Sequence, residues 1–95
     1  MARELSLPTQ LKRARWKVKI QDKETREPPH VSILIRGTDK WRLNLRTGQM
    51  MDTIPDPSEV PDELLQILRT ATNWRWDIDA WDEMYPDNPV ATDED

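Results

Sequence analysis

The chain has 95 residues, no cysteine and a net charge of −4. This length suits one domain, the lack of cysteine rules out disulfides, thiolate metal sites and cysteine nucleophiles, and no apolar run approaches the ~18 residues of a membrane span. The modest net charge hides a split: residues 1–46 hold twelve Lys/Arg against five Asp/Glu, and residues 47–95 hold two against thirteen. Such asymmetry points to a basic face and an acidic face, serving different partners or each other. No signal peptide and no membrane contact are expected, and the missing cysteines suit a reducing, cytoplasmic location.

Residues 1–13 contain Pro8 and no clean period. They are expected to form an N-terminal arm, with Leu5, Leu7 and Leu11 docking on a single domain that spans residues 14–86. Trp16, Val18 and Ile20 alternate with Arg15, Lys17 and Lys19, which predicts a half-buried strand. Residues 21–30 read as a loop, stiffened by Pro28-Pro29. Val31, Ile33 and Ile35, then Trp41, Leu43 and Leu45, flank Gly37-Thr38-Asp39. That pattern predicts a hairpin with Ile35 opposite Trp41, Ile33 opposite Leu43 and Val31 opposite Leu45, all six on one face. After a turn at Thr47-Gly48, Gln49–Asp52 is expected to add a short edge strand.

Pro55 and Pro57 mark a connector. A helix is predicted from Ser58 or Val60, with Pro61 in its first turn and Asp62 and Glu63 complementing the helix dipole. Leu64, Leu68 and Ala71, continued by Trp74, Ile78, Trp81 and Tyr85, form an apolar stripe at helical spacing. Asn73 is the candidate break between two helices. Pro86 ends the stripe, and residues 87–95 are expected to be an acidic, disordered tail. The sum is an α+β fold: a three- to four-stranded antiparallel meander with one or two C-terminal helices packed on one face.

Three groups of residues bear on chemistry. His30, the single histidine, follows Glu27-Pro28-Pro29 at a strand mouth. An imidazole beside a carboxylate is a candidate acid–base pair, so His30 and Glu27 are the catalytic candidates; the alternative is a turn residue whose ring bonds the loop backbone. Lys17, Lys19, Arg36 and Arg42 share the polar sheet face and are candidates for binding phosphate or an acidic partner. That face lacks the interleaved aromatics used for base stacking. Asp62, Glu63, Asp77, Asp82 and Glu83 form a candidate acidic face for a basic partner. With Asp79, the last three resemble a calcium loop only superficially, lacking its glycine and spacing. Trp76, off the main stripe, is a candidate exposed anchor. No phosphate-binding loop, dinucleotide fingerprint, zinc pattern or nucleophile elbow is present, and neither metal nor cofactor is expected.

The run Glu27-Pro28-Pro29-His30, the strand Val31–Arg36, Gly37, the strand Trp41–Leu45, Thr47-Gly48 and Met51 resembles the small bacterial domain-of-unknown-function family with a Pro-Pro-His signature. The likeness covers about residues 14–85. Many members carry a second histidine two positions after the first, where this chain has Ser32. The resemblance implies an α+β domain and, from the gene pairs in which such proteins occur, a toxin–antitoxin-like setting. The leading expectation is a non-catalytic protein-interaction module in such a pair or another regulatory pair. One alternative is a metal-independent RNA-directed toxin or ribonuclease, with His30 as acid–base and Arg36 and Arg42 on the phosphate. Another is a structural domain, with homodimer formation through an edge strand or Trp76.

Overall fold

The computed structural model describes residues 3–21, 27–36 and 39–91. Among these residues four strands form one antiparallel sheet in sequential order: β1 (Arg3–Leu5), β2 (Trp16–Ile20), β3 (His30–Ile35) and β4 (Asp39–Asn44). A one-turn helix α1 (Thr9–Arg13) links β1 to β2, and two helices follow the sheet, α2 (Asp62–Leu68) and α3 (Ala71–Met84). This is the expected α+β meander with C-terminal helices. No helix among the described residues is long and apolar enough to cross a membrane.

The alternation in the sequence sets the two faces of the sheet. Trp16 pairs with Ile35 and Val18 with Ile33, while Lys17 pairs with Leu34 and Lys19 with Ser32. Leu5, Trp16, Val18, Ile20, Val31, Ile33, Trp41 and Leu43 are all buried in one core. The hairpin register differs from the expected one by two residues. Ile33 lies opposite Trp41, Val31 opposite Leu43 and Ile35 opposite Asp39. A slip of two preserves the face of every side chain, so hydrophobic alternation alone cannot detect it. The shift arises because Arg36 itself leaves the strand, taking a left-handed conformation (φ 55°) where the connection to β4 begins. Gly37 and Thr38 of the expected turn lie outside the described residues.

The fourth strand is not the expected one. Residues 49–51 touch the outer edge of β4 through a single bridge, Leu43 to Met50, with Met51 N–H donating to the Arg42 carbonyl at 2.8 Å. The strand that completes the sheet is β1, on the opposite edge, where Arg3, Glu4 and Leu5 pair with Ile20, Lys19 and Val18. The N-terminal arm is thus part of the domain, and Leu7 and Leu11 are buried in the common core.

The helical region is divided at Arg69–Thr70 rather than at Asn73. Thr70 is extended (ψ 147°). The Ile67 carbonyl, freed at the end of α2, accepts from Thr70 Oγ1 at 2.9 Å and from Asn73 Nδ2 at 2.8 Å. Asn73 therefore closes α2 instead of breaking a longer helix. Pro61 precedes α2 as its cap, with Asp62 and Glu63 in the first turn. The indoles supply much of the core. Trp16, Trp41 and Trp81 are buried, and two of them satisfy their ring N–H groups on backbone carbonyls. Trp41 donates to Pro55 at 3.0 Å and Trp81 to Asn88 at 2.7 Å. Ala71, placed on the stripe by sequence, is exposed, and Trp74, Trp76 and Ile78 are half-buried at the flank of the core.

Residues 86–91 form a strap rather than a disordered tail. Val90 is buried, and its N–H donates to Asp82 Oδ1 at 2.8 Å. Arg46 Nε donates to the Val90 carbonyl at 2.9 Å, and Asn88 Nδ2 to the Glu27 carbonyl at 2.9 Å. The strap thereby ties the C-terminal end of α3 to the end of the sheet where β3 begins and β4 stops. Residues 92–95, which carry Asp93, Glu94 and Asp95, lie outside the described residues.

Candidate anion-binding surface

His30 sits at the strapped end of the sheet and is 1% exposed. Its Nδ1 lies 2.8 Å from the Pro28 carbonyl, which makes that nitrogen the protonated donor, and its ring centroid is 5.4 Å from that of Trp81. The diproline bends the chain so that the ring bonds the loop backbone and packs on α3. Glu27 turns instead toward β4: its Oε1 accepts from Arg42 Nη1 at 2.6 Å, and Arg42 in turn grips Asp52. His30 and Glu27 are close in sequence but serve separate contacts.

Arg42 is the largest departure from the expected basic set. Its Nη2 donates to Asp52 Oδ1 at 2.7 Å, its Nε to both oxygens of that carboxylate, and its backbone N–H to Oδ2 at 2.9 Å. The Arg42 hydrogen bonds hold the Asp52 carboxyl below the usual carboxylate range. Flanked by Asp52 and Glu27, the Arg42 guanidinium is raised well above its ordinary value. A guanidinium saturated by two internal carboxylates has little left for a phosphate.

The remaining three cations do come together, joined by Arg15, which the alternation placed on their side of β2, and by Lys12. Lys12, Arg15, Lys17, Lys19 and Arg36 line a concavity of about 670 Å³, to which, among the described residues, Glu4 adds one carboxylate and Trp16 and Leu34 apolar surface. Lys17 and Lys19 face it together because they are two apart on β2, about 7 Å along the strand. Lys12 comes from the last turn of α1. None of the five makes a side-chain hydrogen bond or ion pair among the described residues, whereas Arg3, Arg42 and Arg75 each have an acidic partner.

Two features of the backbone build the mouth of this concavity. Arg15 (φ 70°) and Arg36 (φ 55°) are the two non-glycine residues with left-handed backbone among the described residues. They face each other across the start of β2 and the end of β3, and Arg36 N–H donates to the Arg15 carbonyl at 3.2 Å. A left-handed conformation costs a side-chain-bearing residue about 1–2 kcal/mol. Strain kept in this way collects at ligand clamps and other working sites.

The expected acidic face does not assemble. Asp77 is fully buried, so no partner can reach it. Asp82 caps the strap at Val90, and Glu83 accepts two bonds from Arg3, at 2.9 and 2.5 Å. Glu63 accepts from Gln10. Asp79 pairs with Arg75 one turn back at 3.4 Å. Asp62 remains exposed in the first turn of α2. Of the four acids of α3, Asp79, Asp82 and Glu83 serve internal contacts and Asp77 is buried in the core.

Asp77 is the site residue whose environment is least legible in the sequence. It shares the buried face of α3 with Ala80 and Trp81, and neither carboxylate oxygen has a hydrogen-bond partner among the described residues. Burial pushes its carboxyl up to about 7.

No family model matches the chain, and no curated protein and no solved structure matches it either.

Proposed function

We propose that the protein is a non-catalytic interaction module, one half of a regulatory or toxin–antitoxin-like pair, whose concave basic surface receives an acidic segment of its partner protein. One observation carries this reading. Five cations converge on one concavity and, among the described residues, make no internal ion pairs, while Arg3, Arg42 and Arg75 are neutralised within the fold. Unpaired cations gathered in a cleft focus potential toward an anion and speed its capture.

Two further observations support a binding rather than a chemical role. The single imidazole is buried against Trp81, and Glu27 is engaged by Arg42. Trp16, the aromatic residue of the lining, is buried at 7% exposure, which leaves little ring face for base stacking and favours an acidic peptide over single-stranded nucleic acid.

Fluorescence anisotropy with a labelled glutamate-rich peptide tests the reading. Binding should appear at low salt, weaken steadily as salt rises, and vanish in the double variant Lys17→Glu, Lys19→Glu. Absence of binding at low salt, or binding indifferent to that charge reversal, would overturn it.

A further inference from the structure

We infer that Arg15 and Arg36 are the specificity element of the concave surface and that they receive a phosphoryl group carried on a side chain of the partner protein. This rests on the proposed function and narrows it from acidic segments in general to phosphorylated ones.

The choice of residue at these two positions is the first argument. Both sit in left-handed backbone that glycine would adopt without steric cost, and asparagine with less than arginine. The chain accepts the strain of arginine twice, at two positions joined by a backbone hydrogen bond. Both side chains are exposed, so neither is there to fill the core. What remains is the guanidinium that each delivers to the same concavity.

The chemistry of that group is the second argument. A guanidinium presents a planar fork of donors that pairs two at a time with the oxygens of a phosphoryl group. Two forks rising from adjacent backbone positions suit a tetrahedral anion with three free oxygens. Charge density points the same way. Among the described residues the lining holds five cations against the single carboxylate of Glu4. A phosphorylated serine brings about −1.5 to −2 charges to one point, which a row of single carboxylates cannot do.

The test compares two peptides of equal net charge on the full chain: one with a phosphoserine among glutamates, one with glutamates only. The wild type should prefer the phosphopeptide by about tenfold, the equivalent of one added charge-assisted bond. In the double variant Arg15→Lys, Arg36→Lys, which keeps the charge and the same backbone demand, that ratio should fall to about one. Circular dichroism and tryptophan emission confirm that the variant is folded. Equal affinities in the wild type, or a preference that survives the lysine exchange, would overturn the inference while leaving the proposed function standing. Tighter binding of a uridine oligonucleotide than of the phosphopeptide at equal charge would overturn it in favour of nucleic acid. Failure of both peptides to bind would remove the proposed function itself.

Discussion

Replacing Asp77 with asparagine should change how stability depends on pH more than replacing any other described carboxyl. Asp77 is fully buried, without a hydrogen-bond partner among the described residues, and its folded carboxyl titrates near 7 against an ordinary 3.8. In the unfolded chain the group ionises as pH passes its ordinary value, while the folded chain holds the proton until about 7. Between those limits the unfolded state binds fewer protons, so stability falls as pH rises. Below both values the group is neutral in either state and costs nothing through ionisation. At pH 5 the loss is about 2 kcal/mol and at pH 8 about 4 kcal/mol, each tenfold difference in proton affinity between the two states being worth about 1.36 kcal/mol. Asparagine keeps the shape and cannot ionise. Wild type and Asp77→Asn should therefore diverge by about 2–3 kcal/mol more at pH 8 than at pH 5, a large share of the ~5–15 kcal/mol typical of a domain. Urea unfolding followed by tryptophan emission at the two pH values measures this directly. Parallel pH–stability curves for the two proteins would refute the reasoning.

Asp52 should show the opposite sign. Its folded carboxyl is held low by the Arg42 hydrogen bonds, so its contribution is present above its ordinary value and lost as pH falls through the lower folded one. Asp52→Asn should cost about 1–3 kcal/mol at pH 7 and progressively less below pH 4 in the same unfolding assay. His30→Ala should destabilise the fold by about 2–4 kcal/mol through the cavity left against Trp81, read as a lower urea midpoint. An unchanged midpoint would mean that the ring does not support the sheet end.

The strands and the buried face were legible because a period of two survives wherever one side of a sheet is covered, as with Trp16, Val18, Ile20 and their counterparts in β3 and β4. What alternation cannot convey is register, and the two-residue slip between β3 and β4 follows from the conformation of Arg36, a residue that does not advertise a turn. The strand β1 escaped notice because three residues show no period. Its place is set by pairing with β2, at a distance along the chain that grows from Leu5 to Arg3. Lys17, Lys19 and Arg36 were visible as a basic face. Arg15 shared their side of the alternation, Lys12 joins them only because the chain reverses through the left-handed Arg15 after α1, and Arg42 is lost to them because Asp52 returns beside it from the edge segment. The signal for Asp77 was present: it lies midway between Trp74 and Trp81 on the helical stripe, three residues from one and four from the other. The neighbouring acids made it look like part of a solvated face.

The left-handed arginines have a consequence for anyone who improves this protein by selection. Glycine at position 15 or 36 would relieve backbone strain of about 1–2 kcal/mol at each site, offset in part by the ~0.5–1 kcal/mol of extra chain entropy it loses on folding, and asparagine would relieve part of the same strain. A screen that rewards heat resistance alone would therefore enrich such variants, and each would look like progress. The hardened protein would keep its sheet, its indole core and its strap while losing the two guanidinium groups of the concavity, so on the proposed function gains in melting temperature at those positions measure what anion capture costs the fold.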